Sequence, residues 1–327
     1  MEATSQRHLY SLPNEVFVQI LSLLPTRVLL PLATVSHRFN ALVLRIIHYR
    51  LPEPAALSED RLMNEYKLML ECYHPSSKLS EPHVFCKSIG SDGLSDRYED
   101  QGSLYENLEA AQKLGRLTSL YSRFRPEAAA EERGSSGGWS DQLSEETMPV
   151  MRAVNLEPSE DFSQLCTVVN LVKVMPGSHR LLSALTIEEG ILRLWRDWLK
   201  RQIQMLNDAT AREAAAVEEE VILPGGGVQS RRTVDESDTS DYHRMLWVDG
   251  QKNVGLKLRV REKKLNPSAS ILVSRDEESY QVEIEELHIR TARLLLTMEQ
   301  SIEEQKSQPR AMVFGAHPPR TGATLMI

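Results

Sequence analysis

Three prolines, Pro13, Pro25 and Pro31, fall inside the most apolar part of the chain and divide it into pieces too short for one continuous helix. A proline in a helix interior lacks the donor for the backbone ladder and clashes with the preceding turn, whereas in a first turn neither matters. The spacing therefore predicts three short helices. Pro13 and Asn14 open the first, with Glu15 where the helix dipole favours an acid. Val16, Ile20 and Leu24 fall on one stripe of it, with Phe17 and Leu21 beside them. Pro25 ends that helix, Thr26 caps a short turn over Val28 to Leu30, and Pro31 restarts a helical piece through Leu32 and Val35. A third segment, His37 to Tyr49, carries Phe39, Leu42, Val43, Ile46 and Ile47 at helical spacing.

From Tyr10 to Leu51, 24 of 42 residues are apolar or aromatic, and Glu15 is the only acid beside Arg27, Arg38, Arg45 and Arg50. That segment is thus +3 in a chain of net charge -8, which leaves -11 for the remainder. A domain this small buries too little of its surface to hide so many apolar side chains by itself. It is expected to need a partner.

These residues resemble the F-box: Leu12-Pro13, the acid Glu15, Ile20-Leu21-Ser22 with Leu24-Pro25, the leucine-rich turn Leu29 to Leu32, and Val35-Ser36-His37-Arg38-Phe39. The resemblance is specific in order and spacing and covers about an eighth of the chain, departing from the commonest pattern at Pro31 and at Phe39, where Trp is frequent. It implies docking onto the Skp-type adaptor of a Skp/cullin/F-box ubiquitin ligase. By the same resemblance Leu12, Pro13, Glu15, Val16, Ile20, Leu24, Leu32, Val35 and Phe39 form or support the adaptor interface, and the rest of the chain selects a protein substrate. Each such apolar side chain contributes about 1.5 to 3 kcal/mol when fully buried, enough for a stable interface after association costs. Arg38 and Arg45 either steer toward an acidic partner or belong to a solvated face.

Beyond the F-box at residues 9–51, Leu62, Tyr66, Met69, Leu70 and Tyr73 recur at helical spacing after the capping residue Ser58, and residues 52–75 read as a rigid helical connector. Residues 76–306 read as an α+β recognition region. Val84 to Ile89 is a strand candidate, and Leu104 to Leu117 a weak helix. Leu165 to Val174 is a nearly continuous β-branched run, as in a strand buried on both faces. Ile191 to Leu199 fits a strand or a helix, with helix favoured in the stretch toward Val221. Asn253 to Glu262 alternates strictly, with Val254, Leu256, Leu258 and Val260 on one face and Lys257, Arg259 and Arg261 on the other. Ile271 to Val273 and Tyr280 to Ile289 continue the β pattern, Glu283 and Glu285 being able to pair with those cations across strands. Leu294 to Met298 fits a strand or a helix. Flexible loops are expected over 126–149 and 224–241, and a disordered tail over 307–327. The fold class that follows is α+β: a three-helix F-box, a helical connector, and a mainly antiparallel β-sheet or sandwich with flexible loops. The SLYSRF and NVGLKLRVRE segments resemble those of F-box proteins from filamentous fungi.

Cys72, Cys86 and Cys166 are widely spaced without a CxxC pair and read as reduced thiols, placing the chain in the cytoplasm or nucleus. No signal sequence and no run of 18 apolar residues is visible, and the acidic balance argues against a nucleic-acid partner. No metal, nucleophile or phosphate signature stands out, so no cofactor and no catalysis are expected: Glu285, Glu286 and His288 form an EExH group, but on a strand Glu286 and His288 share one face and Glu285 points to the other. The basic face Lys257, Arg259 and Arg261 is the candidate client site, for an acidic or phosphorylated peptide, against the plainer reading of a solvated sheet face. Two alternatives stand beside the ligase adaptor. One is a lectin-like sandwich in which Trp195, Trp198 and Trp247 stack on a sugar, although their aliphatic neighbours favour core positions. The other is an F-box protein acting outside a ligase.

Overall fold

The computed structural model describes residues 12–52, 66–78, 80–91, 116–127, 148–175, 181–220, 243–263 and 278–307. Three helices open the chain: α1 (Asn14–Leu21), α2 (Thr26–Leu32) and α3 (His37–Arg50). Pro13 and Pro25 stand at the N-caps of α1 and α2, and Pro31 lies inside the short α2. Ser36 caps α3 by accepting from the Phe39 N–H.

Among the described residues the remainder is one antiparallel sheet with two helices. Its strands are β1 (Tyr66–Tyr73), β2 (Val84–Ser91), β3 (Tyr121–Glu127), β4 (Val150–Leu156), β5 (Phe162–Val174), β6 (Leu181–Trp195), β7 (Met245–Trp247), β8 (Val254–Glu262) and β9 (Glu278–Arg290). Helix α4 (Arg196–Glu220) follows β6 without a break, and α5 (Thr291–Ser307) follows β9 in the same way. Strand order is β6-β5-β1-β2-β3-β9-β8-β7. Strand β9 takes two partners in succession on its other edge: β3 pairs over Leu287 to Arg290, and β4 pairs over Glu278 to Ile284. The expected α+β architecture with a mainly antiparallel sheet is what the chain forms.

The sheet curls until its two ends nearly meet, giving an almost barrel-like shape. Val248, just past β7, lies so close to β6 that a Cβ on Gly190 would stand 2.7 Å from the Val248 Cγ1 and 2.8 Å from its carbonyl oxygen. Only a residue without a side chain fits there. Beside it the Asn253 amide donates to Glu188 at 3.3 Å. The enclosed core includes Leu68, Leu70, Phe124, Leu165, Leu171, Leu192, Leu256, Val282 and Leu287, completed by Leu199 of α4 and by Leu294 and Met298 of α5.

Two expectations need correction. Tyr66–Tyr73 is a strand and not the end of a connector helix; residues 53–65 lie outside the described residues. The cause is its central position between β5 and β2. Tyr66, Leu68, Leu70 and Cys72 face the core, while Met69 joins Val172 and Val174 in a small cluster on the opposite side. Met69 and Tyr73 on the second face are apolar or aromatic like the inward set, so a helical subset can be picked from the strand although Lys67 and Glu71 keep the alternation. Leu117 belongs to a short 3-10 turn, Arg116–Ser119, and the expected helix N-terminal to it lies outside the described residues, as do most of the two expected loops, Ile271 to Val273 and residues 308–327. The two ambiguous segments resolve as a strand through Trp195 followed by helix, and as helix throughout Leu294 to Met298.

Candidate functional site: the N-terminal helices and their anchor

The three N-terminal helices pack Phe17, Leu21, Leu29, Phe39, Leu42, Val43, Ile46 and Ile47 into one core, with the Phe17 and Phe39 rings edge to face at 5.5 Å. That core is not self-sufficient. Leu117 of the 3-10 turn and Leu295 of α5 are buried within it. Part of the apolar excess seen in the sequence is therefore satisfied inside the chain, by the helix that ends the described residues.

A polar anchor fixes the same junction. The Glu299 carboxylate of α5 accepts from the Thr26 backbone N–H at 2.6 Å and from the Thr26 hydroxyl at 2.7 Å, filling the capping role that Pro25 cannot perform for α2. Arg50, at the end of α3, donates to the same carboxylate at 3.1 Å, to the Thr26 hydroxyl at 2.9 Å, and to the Ser22 and Leu24 carbonyls at 2.9 and 2.7 Å. One carboxylate from the far end of the chain thus ties α2 to α3. Nothing local in the sequence signals it, because Arg50 and Glu299 are 249 positions apart.

The sequence-nominated residues separate into two groups. Val16 and Ile20 stand on the outer side of α1, 37% and 47% exposed, Val35 is 58% exposed, and Pro13 and Glu15 are exposed as well. Leu12, Leu24 and Leu32 are half-buried against the helical core, and Phe39 is buried within it. Those four lie inward of the exposed residues. Leu23, which the spacing passed over, is the most exposed apolar residue of the segment at 84%. The stripe from Ile20 to Leu24 requires α1 to continue, but α1 ends at Leu21, and the following turn aims Leu24 inward and Leu23 outward. Val16, Ile20 and Leu23 form the outer row, joined on α2 by the exposed Val28 and Leu30. Arg38 also has a structural role. It lies over the Phe17 ring at 4.7 Å and donates to the Asn14 side chain at 2.9 Å and to the Leu12 carbonyl, holding the start of α1.

On the sheet, the cations of β8 are paired with β9. Arg259 meets Glu285 at 2.6 Å, Arg261 meets Glu283 at 3.0 Å, and Lys257 meets Glu286 at 3.5 Å. His288 bonds Glu286 at 2.9 Å. That bond, with Lys257 beside it, holds the Glu286 carboxyl down at about 2. Among the described residues no group of three or more His, Cys, Asp or Glu is placed to hold a metal ion. The three tryptophans are engaged separately: Trp195, 49% exposed, against Phe162; Trp198 donating to the His243 carbonyl; and Trp247 across Gly255 beside Tyr121. Burial raises the Cys72 thiol to about 11, as befits an inert core residue.

No helix among the described residues is long and apolar enough to cross a membrane. No curated protein and no solved structure matches the chain. A family model described as F-box-like does match, over residues 9–51, the same span that holds α1, α2 and α3. The three helices, their order and their matched span make this chain an F-box domain protein.

Proposed function

We propose that the chain is the substrate-recognition adaptor of a Skp/cullin/F-box ubiquitin ligase, acting in the cytoplasm or nucleus, with docking through the outer row of the F-box and client binding through the β region. F-box domains bind Skp-type adaptors, and the observation that carries the reading is the row Val16, Ile20 and Leu23, three apolar side chains left in solvent although the core beneath them is complete. Unpartnered apolar rows of this kind mark association surfaces. On this reading the chain performs no chemistry; it fixes a client relative to the catalytic subunits, and the Glu299 anchor makes the two ends of that bridge one rigid body.

Co-purification with a Skp-type adaptor and cullin tests it. The substitutions Ile20→Asp and Leu23→Asp together are expected to abolish assembly while leaving the fold intact, since both residues point outward. Leu24→Asp is the wrong probe, because Leu24 leans into the core and its loss reports folding. Assembly retained by the Ile20/Leu23 pair sinks the interface, and adaptor binding without cullin points to a role outside a ligase.

A further inference from the structure

Between the two strands that share one edge of β9 lies a cleft of about 490 Å³. It exists because β3 leaves β9 beyond the Phe124–Leu287 pair and β4 joins only at the Val150–Ile284 pair, so among the described residues no strand covers Glu285 and Glu286 on that side. On the other edge the ladder to β8 jumps from Lys257–Glu286 to Leu258–Ile284, which makes Glu285 the extra residue of a β-bulge. A bulge re-aims its side chain and increases local twist. Here it brings Glu285 between Arg259 and Arg244, which both reach its carboxylate.

The cleft is lined by cations from two strands and from the residue just before a third. Arg125 comes from β3, Lys257 and Arg259 from β8, and Arg244 precedes β7. Against these four stand the carboxylates of Glu283, Glu285 and Glu286, so the cleft carries a net positive charge in a chain of net charge -8. Arg125 is exposed at the rim and has no ion-pair partner among the described residues. Lys87, also exposed, lies directly across from it on β2. Arg261 of the alternating basic face does not line the cleft, whereas Arg125 and Arg244, which belong to no such pattern, do.

We propose that this cleft binds an acidic stretch of polypeptide. Peptide carboxylates take Arg125 and share Arg259, while peptide N–H groups donate to the glutamates on the floor. The floor also selects between anions: a nucleic-acid strand offers a continuous line of phosphates, which three fixed carboxylates repel, whereas a peptide alternates side-chain acids with backbone donors. That the acidic stretch belongs to a client of the ligase rests on the adaptor reading above; the binding itself does not.

The test uses the full chain and fluorescein-labelled hexaglutamate as the probe in fluorescence anisotropy. Saturable binding is expected, weakening about tenfold or more with Arg125→Glu, and falling as salt is raised because the Debye length shortens from about 10 Å at 0.1 M to about 3 Å at 1 M. Arg259→Gln is expected to weaken binding less, and Arg201→Glu, on the exposed surface of α4, not at all. Circular dichroism confirms that each variant is folded. Unchanged binding by folded Arg125→Glu, or equal loss with Arg201→Glu, overturns the site, as does tighter binding of a single-stranded DNA 20-mer than of the peptide. The Ile20→Asp/Leu23→Asp protein is expected to keep the peptide while losing the Skp-type adaptor, so failure of either reading is seen apart from the other.

Discussion

Replacing Glu299 by alanine isolates the anchor between the F-box and the sheet. The substitution removes the acceptor for the Thr26 N–H, for the buried Thr26 hydroxyl, and for one of the Arg50 nitrogens. Loss of a helix cap alone costs about 1 kcal/mol. A hydrogen bond to a charged group contributes about 1.5 to 3 kcal/mol, but the three bonds share one carboxylate and do not add. Removing one member of a fully buried ion pair costs about 3 to 5 kcal/mol. Arg50 and Glu299 are 18% and 19% exposed, and Arg50 keeps the Ser22 and Leu24 carbonyls, so the lower end applies and a loss of about 3 kcal/mol is expected. Glu299→Gln retains two of the acceptor contacts and is expected to lose about half as much. Urea unfolding provides the assay, followed by tryptophan fluorescence and by far-UV circular dichroism. No tryptophan lies in residues 9–51, so fluorescence reports the β region alone. In the wild type both probes are expected to share one midpoint, because Leu295 belongs to the F-box core while Leu294 and Met298 of the same helix belong to the sheet core. In Glu299→Ala the circular dichroism transition moves first. A loss below about 0.5 kcal/mol, within the usual range for surface substitutions, or no coupling with Arg50→Met in a double-mutant cycle, would refute the reasoning.

Two further outcomes follow from the sheet. The Glu286 carboxyl is depressed from its ordinary 4.5 to about 2, so the stability it contributes is fully present above pH 4.5 and is lost as the pH falls toward 2; urea midpoints measured down that range are expected to fall more steeply for the wild type than for Glu286→Gln, and parallel curves would contradict it. Gly190→Ala forces a methyl group against the Val248 backbone and is expected to cost about 1 to 3 kcal/mol in thermal unfolding, whereas Gly250→Ala, with open space around it, is expected to be nearly neutral.

The N-terminal helices were legible because their information is local. Pro13 and Pro25 mark the first two helix starts and apolar spacing marks the faces, but Pro31, expected to restart a helix through Val35, lies inside α2, which runs unbroken from Thr26 to Leu32 because a short helix leaves few ladder bonds for a proline to remove. Strand β8 was legible for the same reason, its strict alternation giving both the buried set and the partners Glu283 and Glu285. Legibility failed where the deciding contact is distant. Tyr66–Tyr73 reads as a helix until β5 and β2 are known to flank it, since Met69 and Tyr73 on its outer face blur the period of two that Lys67 and Glu71 keep. Leu23 and Leu24 exchange roles through a turn one residue earlier than the periodicity suggests. The cleft over β9 depends on where two strands, separated by more than twenty residues, divide one edge between them, and Arg125 and Arg244 come to it from elements with no sequence pattern in common.

Leu295 and Glu299 carry a consequence for the order in which the protein can become complete. The F-box is synthesised before the sheet, yet the residue that closes its core and the carboxylate that caps α2 are separated from it by the entire sheet. Domains otherwise settle as they leave the ribosome, N-terminal first. Here the F-box stays unfinished until the sheet has been synthesised and α5 has packed across both, so a native F-box and an intact sheet arise together.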